Sequence, residues 1–316
     1  LLKKNFVLYI INKKIFHKII GKLLRKGCKM ESISLKAYAK INLSIDITGK
    51  RPDGYHDVKM IMQTIALHDI VTLEVRDSGI EIECNRPGIP TGADNIAYKA
   101  ASLLMKEYNI DRGVCINITK NIPAAAGLAG GSADAAAVLK GMNSLFSLDL
   151  GEDELMAAGK QVGADVPFCI KGGTMLAQGI GEVLTELDSF SKVDIVLVKP
   201  GIDVSTAWVY KNLDLCRVSF RPDTNTLIKA ISNKDRVFVA QNMKNVLESV
   251  TIEEYKVIKD IKEELIRLGA LGSMMSGSGP SVFGIFEDRA KAEYAYERLK
   301  GEEWDCFLTE TLCEER

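Results

Sequence analysis

Between Asn121 and Asp134 the chain reads Asn-Ile-Pro-Ala-Ala-Ala-Gly-Leu-Ala-Gly-Gly-Ser-Ala-Asp, almost without side-chain bulk, and passes straight into an alanine-rich helical pattern, Ala133 to Asn143. A backbone this bare lets N–H groups approach a polyphosphate, and the positive end of the helix behind it favours the same anion. The short β-rich run Val114 to Thr119 leads into it, so the expected unit is strand, loop, helix. Two familiar phosphate loops are excluded by spacing. No Lys precedes Ser132, and Gly127, Gly130 and Gly131 do not fit Gly-x-Gly-x-x-Gly. The remaining alternative is that small residues merely let a helix pack closely.

The chain has 316 residues, enough for two domains, and its net charge of -1 gives no reason to expect nucleic acid as a partner. No apolar run is long enough to span a bilayer, so no membrane is expected. The seven cysteines are dispersed with no Cys-x-x-Cys pair, which reads as reduced thiols in a cytoplasmic protein and argues against structural zinc. Residues 1–29 hold Lys and Arg but no Asp or Glu, and Met30 stands just before well-patterned sequence. We read residues 1–29 as a basic leader outside the fold. A membrane-touching segment and a targeting peptide are the alternatives.

Alternation predicts strands at Ser32 to Ile47, Val71 to Val75 and Ile80 to Cys84. Helical spacing covers Ala93 to Tyr108, and a further helix runs from Gly151 to about Gly163, before a compact turn, Gly163 to Pro167, and a strand, Gly173 to Ala177. A soft boundary near Ser189 to Asp194 gives one unit of residues 30–190 and another of 191–316. The second holds a strand at Ile195 to Val198, helices at Val237 to Ser249 and Ile252 to Leu268, and short strands around Ser276 to Pro280. A helix at Arg289 to Lys300 and a strand at Asp305 to Thr311 complete an α+β pattern.

Pro123 to Ala133 resembles the phosphate loop of the GHMP kinase superfamily of small-molecule kinases. Two companion motifs stand in the expected order, Ala39-Lys40-Ile41-Asn42-Leu43 and Ser276-Gly277-Ser278-Gly279-Pro280-Ser281. Arg51-Pro52-Asp53-Gly54-Tyr55-His56 and Gly163-Ala164-Asp165-Val166-Pro167 narrow the resemblance to the branch acting on a cytidine diphosphate derivative of methylerythritol. It covers about Met30 to Thr311 and departs at Ala129 and Ala133, where many relatives carry Gly or Ser. Alanine keeps the loop slim but tolerates positive φ less well.

The resemblance implies a two-domain α+β fold, with an N-terminal domain like domain 2 of ribosomal protein S5, a ferredoxin-like C-terminal domain and the active site in the cleft between them. It implies transfer of the γ-phosphoryl of ATP, with Mg²⁺, to the 2-hydroxyl of a small-molecule substrate. Pro123, Ala124, Ala125, Ala126, Gly127, Leu128, Ala129, Gly130, Gly131, Ser132 and Ala133 would cradle ATP. Ser132 would offer its hydroxyl to phosphate or magnesium, or simply cap the helix. Asp165 would act as base and Lys40 as its cationic partner; a lone Asp in a turn is otherwise an Asx-turn or cap. Asn42 would contact the methylerythritol end. Tyr55 would stack on cytosine, His56 would bond its polar edge, and Tyr210, or its neighbour Trp208, would close the other face. Two rivals stand beside this reading: a GHMP kinase for a sugar, homoserine or mevalonate, and a non-catalytic sensor. The Tyr55-His56 pair argues against the first, and the presence of both Lys40 and Asp165 against the second. Oligomeric state is left open between monomer and homodimer.

Overall fold

Two long strands, β1 (Ser32–Lys50) and β2 (His56–Arg76), pair antiparallel and form the spine of the protein. The computed structural model describes residues 31–301 and 304–313; the reading of residues 1–29 as a leader lies outside them. β2 extends fifteen residues upstream of the expected Val71. Its first half gives no alternating signal because Val58, Met60, Ile61, Met62, Gln63, Thr64 and Ile65 are all buried, so both faces are covered.

β3 (Ile80–Cys84) runs parallel to β4 (Gly113–Thr119), and β4 pairs with the second half of β2. On one face of this sheet lie α1 (Ile96–Glu107), α2 (Gly130–Leu145), α3 (Glu152–Val162) and α4 (Val166–Lys171). Alternate residues Val114, Ile116 and Ile118 of β4 meet Ala133, Ala136, Ala137 and Leu139 of α2 in one core. At Gly141 a Cβ would stand 2.3 Å from Leu73 Cδ1, so this helix lies hard against the sheet. The compact turn expected at Gly163 to Pro167 is present at Ala164 and Asp165, closed by Val166 N on Gly163 O at 3.2 Å; Val166 and Pro167 already belong to the helix α4, with Asp165 at the N-cap position. Pro167, read as part of a turn, stands in the first turn of that helix, where its missing N–H costs nothing. β5 (Thr174–Gly179) then joins β2, and β6 (Val183–Glu186) joins β5.

The chain crosses to a second sheet through β7 (Asp194–Pro200). Next come α5 (Thr206–Asn212), α6 (Thr224–Ser232), α7 (Arg236–Asn242), β8 (Lys244–Asn245), α8 (Glu248–Glu254) and α9 (Lys256–Arg267). β9 (Gly272–Met275), β10 (Val282–Ile285), α10 (Arg289–Leu299) and β11 (Trp304–Glu310) finish the described chain. The second sheet has the order β11-β7-β10-β9, and α9 and α10 cover one face, which is a ferredoxin-like arrangement. Alternation in β7 serves two cores. Ile195 and Leu197 face Ile41, Leu43 and Ile61 of the first sheet, while Val196 and Val198 face Ile258, Ile261 and Ala295 of the helices. The fold is therefore a two-domain α+β structure whose sheets pack on each other, with helices outside.

Two expected helices are corrected. The pattern Val237 to Ser249 breaks after Asn242, because Lys244 and Asn245 leave the helix and pair parallel with Ser44 and Ile45 of β1. Ile252 to Leu268 breaks at Tyr255, whose backbone is not helical and whose ring meets Trp208 at 6.1 Å. We propose residues 30–190 and 191–316 as the two units, with β8 a short strand that returns from the second unit to the first sheet.

Candidate active site

The β1–β2 register shifts between Tyr38 and Lys40 and again between Asn42 and Ser44. Such irregularities re-aim side chains. Here they bracket Lys40 and Asn42, two buried polar residues that line a cavity of about 950 Å³. Where β2 pulls away, the Lys40 backbone N–H finds another acceptor, Leu128 O at 3.1 Å. The glycine loop is thus docked directly on β1.

Lys40 is 5% exposed and donates to Asn42 Oδ1 at 2.8 Å and to Gly127 O at 3.0 Å. Asn42 Oδ1 also accepts from Gly277 N at 3.1 Å, and Gly127 O also accepts from Ser276 Oγ at 3.0 Å. The three motifs therefore meet in one hydrogen-bonded knot. Burial pulls the Lys40 pKa below its ordinary value, against the pull of Asp165 and Cys169. Asp165 lines the same cavity and acts on Lys40 through space, not as a contact ion pair. It sits at the start of α4 with no side-chain capping bond, which leaves its carboxylate uncommitted to the helix.

In the loop, alternate residues take opposite sides. Ala125, Gly127 and Ala129 line the cavity, whereas Ala126 and Leu128 are buried in the core shared by the two sheets. Ala125 and Ala129 adopt left-handed φ of 48° and 57°, so alanine carries here a conformation glycine would hold more cheaply. Ala129 is the N-cap of α2 and Gly130, Gly131 and Ser132 open the helix, three residues earlier than the alanine pattern predicts. Ser132 is thus not the cap. Because Ala133 N bonds Ala129 O, the N–H groups of Gly130, Gly131 and Ser132 are the ones left at the helix end. All three residues line the cavity; Pro123, Ala124 and Ala133 do not.

Tyr55 and His56 close the other end of the cavity, after a turn in which Asp53 Oδ1 accepts from Tyr55 N at 3.1 Å. Tyr55 is 60% exposed. The rings of His56 and Tyr210 lie 5.3 Å apart, tilted by 43°. Of the two aromatic alternatives, Tyr210 lines the cavity, while Trp208 packs against Tyr255. Burial, with Asp165 adding to it, pushes the Tyr210 phenol up to about 12. Burial and the nearby Lys50 lower the His56 pKa.

Several contributors escape a reading by local motif. Asn245 donates to Met275 O at 3.0 Å and Gly277 O at 2.8 Å, fixing the glycine segment from β8. Thr206 bonds Ser278 at 2.8 Å across the cavity rim, and Lys50 and Lys211 also line it. Below the loop, Lys120 is buried between Asp69 and Asp134. These residues lie far apart in sequence and carry no shared spacing that could have announced them.

The description "GHMP kinases N terminal domain" fits residues 95–173, and "GHMP kinases C terminal" fits 227–306. The chain is 68% identical over 283 residues to the 4-diphosphocytidyl-2-C-methyl-D-erythritol kinase of Acetivibrio thermocellus, covering 90% of this chain and 100% of that one. The chain belongs to the 4-diphosphocytidyl-2-C-methyl-D-erythritol kinase family of GHMP kinases. A family member of the same name from Clostridium botulinum is 55% identical over 280 residues, covering 89% of this chain and all of its own. A solved 4-(cytidine 5'-diphospho)-2C-methyl-D-erythritol kinase superposes with a TM-score of 0.77 at 30% identity, over 88% of this chain and 99% of that one. Homoserine kinase from Cytophaga hutchinsonii shares the fold, with a TM-score of 0.72 at 18% identity, over 92% and 97% of the two chains. As a member of this family the chain is an ATP-dependent small-molecule kinase.

Proposed function

We propose that the chain transfers the γ-phosphoryl of ATP to the 2-hydroxyl of 4-diphosphocytidyl-2-C-methyl-D-erythritol, a step of non-mevalonate isoprenoid precursor synthesis. One observation carries the reading: a helix-end loop, a Lys–Asp couple and a Tyr/His/Tyr cluster line the same cavity. The loop N–H groups of Gly130, Gly131 and Ser132 bind phosphate oxygens, aided by the α2 dipole. Tyr55 and Tyr210 take the cytosine ring between them, and neutral His56 bonds its edge. Asn42 meets the methylerythritol end.

The substrate hydroxyl lies between Asp165 and Lys40. Its proton passes to the Asp165 carboxylate as its oxygen bonds the γ-phosphorus and the bond from that phosphorus to the bridging oxygen of ADP breaks. Lys40 has three N–H donors and uses two on Asn42 and Gly127; the third is available to the reacting oxygens. Its charge stabilises the negative charge that develops there.

Among the described residues no group of three or more His, Cys, Asp or Glu is arranged to hold a metal ion. A magnesium ion would then take its oxygen ligands mainly from the phosphates and water, with the Ser132 hydroxyl as the donor from the chain, and would offset phosphate charge. No described helix is long and apolar enough to cross a membrane, and we place the protein in the cytoplasm. A coupled ADP-release assay with the cytidine substrate tests the reading. Turnover with that substrate and its loss in Asp165→Ala are expected; preference for a plain sugar, homoserine or mevalonate would overturn it.

A further inference from the structure

Beneath the loop, outside the cavity, three ionisable side chains are buried together. Lys120, Asp69 and Asp134 have side-chain exposures of 5%, 0% and 6%. Lys120 Nζ donates to Asp69 Oδ2 and, at 2.8 Å, to Asp134 Oδ2. Asp69 Oδ1 accepts from the backbone of Asn121 at 2.6 Å and Ile122 at 2.8 Å, the residues that lead into the loop. Asp134 Oδ1 is buried without a hydrogen-bond partner. The cluster ties β2, the loop entrance and the first turns of α2 together.

Its position relative to the phosphate cradle is set by Gly130. A Cβ at that residue would stand 3.2 Å from Lys120 Nζ and 3.0 Å from Ile122 Cγ2. The ammonium therefore lies directly under the first residue of α2, which lines the cavity. An ion pair buried this deeply is weak evidence for stability, since its desolvation offsets most of its attraction. A hydrophobic trio would hold the same elements together. What the charged cluster adds is a field at the helix end, where a bound triphosphate concentrates negative charge.

We propose that Lys120 and Asp134 are positioning residues for nucleotide: they fix the start of the loop helix and set the charge beneath the phosphates. The proposal rests on the reading of the loop as the triphosphate cradle. One cation faces two carboxylates, so the cluster is net negative when both are ionised. Each carboxylate works against the bound phosphates, and Lys120 works for them.

The test compares nucleotide KM, alcohol KM and kcat for Lys120→Met and Asp134→Asn in mildly alkaline buffer. Lys120→Met is expected to raise the nucleotide KM about tenfold, in line with a charge at a partly buried helix end. Asp134→Asn keeps an oxygen acceptor for Lys120 but removes a negative charge, and is expected to lower the nucleotide KM several-fold. The alcohol KM should stay within about twofold of wild type, because the cluster lies away from that part of the cavity. A purely structural role would lower Tm in all variants without opposite shifts in KM. If Lys120→Met does not fold, Asp134→Asn decides. An unchanged or raised nucleotide KM in Asp134→Asn, or its failure to fold, overturns the proposal. Ser132→Asp serves as a control that places a charge in the cradle itself: if it leaves nucleotide binding intact, the loop reading fails rather than the inference drawn from it.

Discussion

Lys40 commits two of its N–H groups, to Asn42 and Gly127, before any substrate arrives. That pre-organisation makes it a hub as well as a charge. Asp165, by contrast, makes no capping bond and can give its carboxylate to a substrate proton. Asp165→Asn is therefore expected to lower kcat by ~10²–10⁴ with little change in either KM, measured by steady-state ADP release. Tyr210 is half-buried beside His56, and on the proposed function its ring stacks on cytosine. Tyr210→Ala should raise the KM for the cytidine substrate by about 5- to 150-fold, the equivalent of ~1–3 kcal/mol of stacking; an unchanged KM would remove it from the cytosine site. His56 has a lowered pKa, so its neutral form persists to more acidic pH than in a free histidine. Substrate KM should stay flat around neutrality and rise only as pH falls through the folded His56 pKa. A rise that persists unchanged in His56→Gln would assign the titration elsewhere.

At the scale of elements, the loop and the Ser276–Pro280 segment touch backbone to backbone. A Cβ on Gly127, which sits at φ 73°, would stand 2.2 Å from Ser276 O. Gly127→Ala should therefore destabilise the protein by at least ~1–3 kcal/mol, read as a lower Tm, because neither backbone can yield cheaply. A Tm equal to wild type would show that the two segments are less closely joined than described. These two segments were legible in sequence because their chemistry is backbone chemistry, and backbone chemistry demands glycine and small residues locally. The first half of β2 was not: burial on both faces erased its period. The two-residue strand β8 was not either, since its place is set by Asn245 bonding to residues thirty positions away. The Lys120 cluster joins residues 69, 120 and 134, a juxtaposition only the fold creates.

Across the whole molecule, the two sheets share a core, and strand-like contacts lace the halves together. Ile65 bridges to Thr311, and Gln63 Nε2 donates to Leu312 O at 2.8 Å. The cavity draws its walls from both halves, from Lys40 and Asp165 on one side to Tyr210 and Gly277 on the other. On the proposed function a single cavity holds triphosphate at the loop, cytosine at the aromatic cluster and the reacting hydroxyl between Lys40 and Asp165. A crystal structure with a non-hydrolysable ATP analogue and the cytidine substrate tests it most directly. Phosphate oxygens are expected on the N–H groups of Gly130 to Ser132, cytosine between Tyr55 and Tyr210, and the 2-hydroxyl within hydrogen-bond reach of Asp165. Cytosine bound away from those rings, or a hydroxyl out of reach of Asp165, would contradict it.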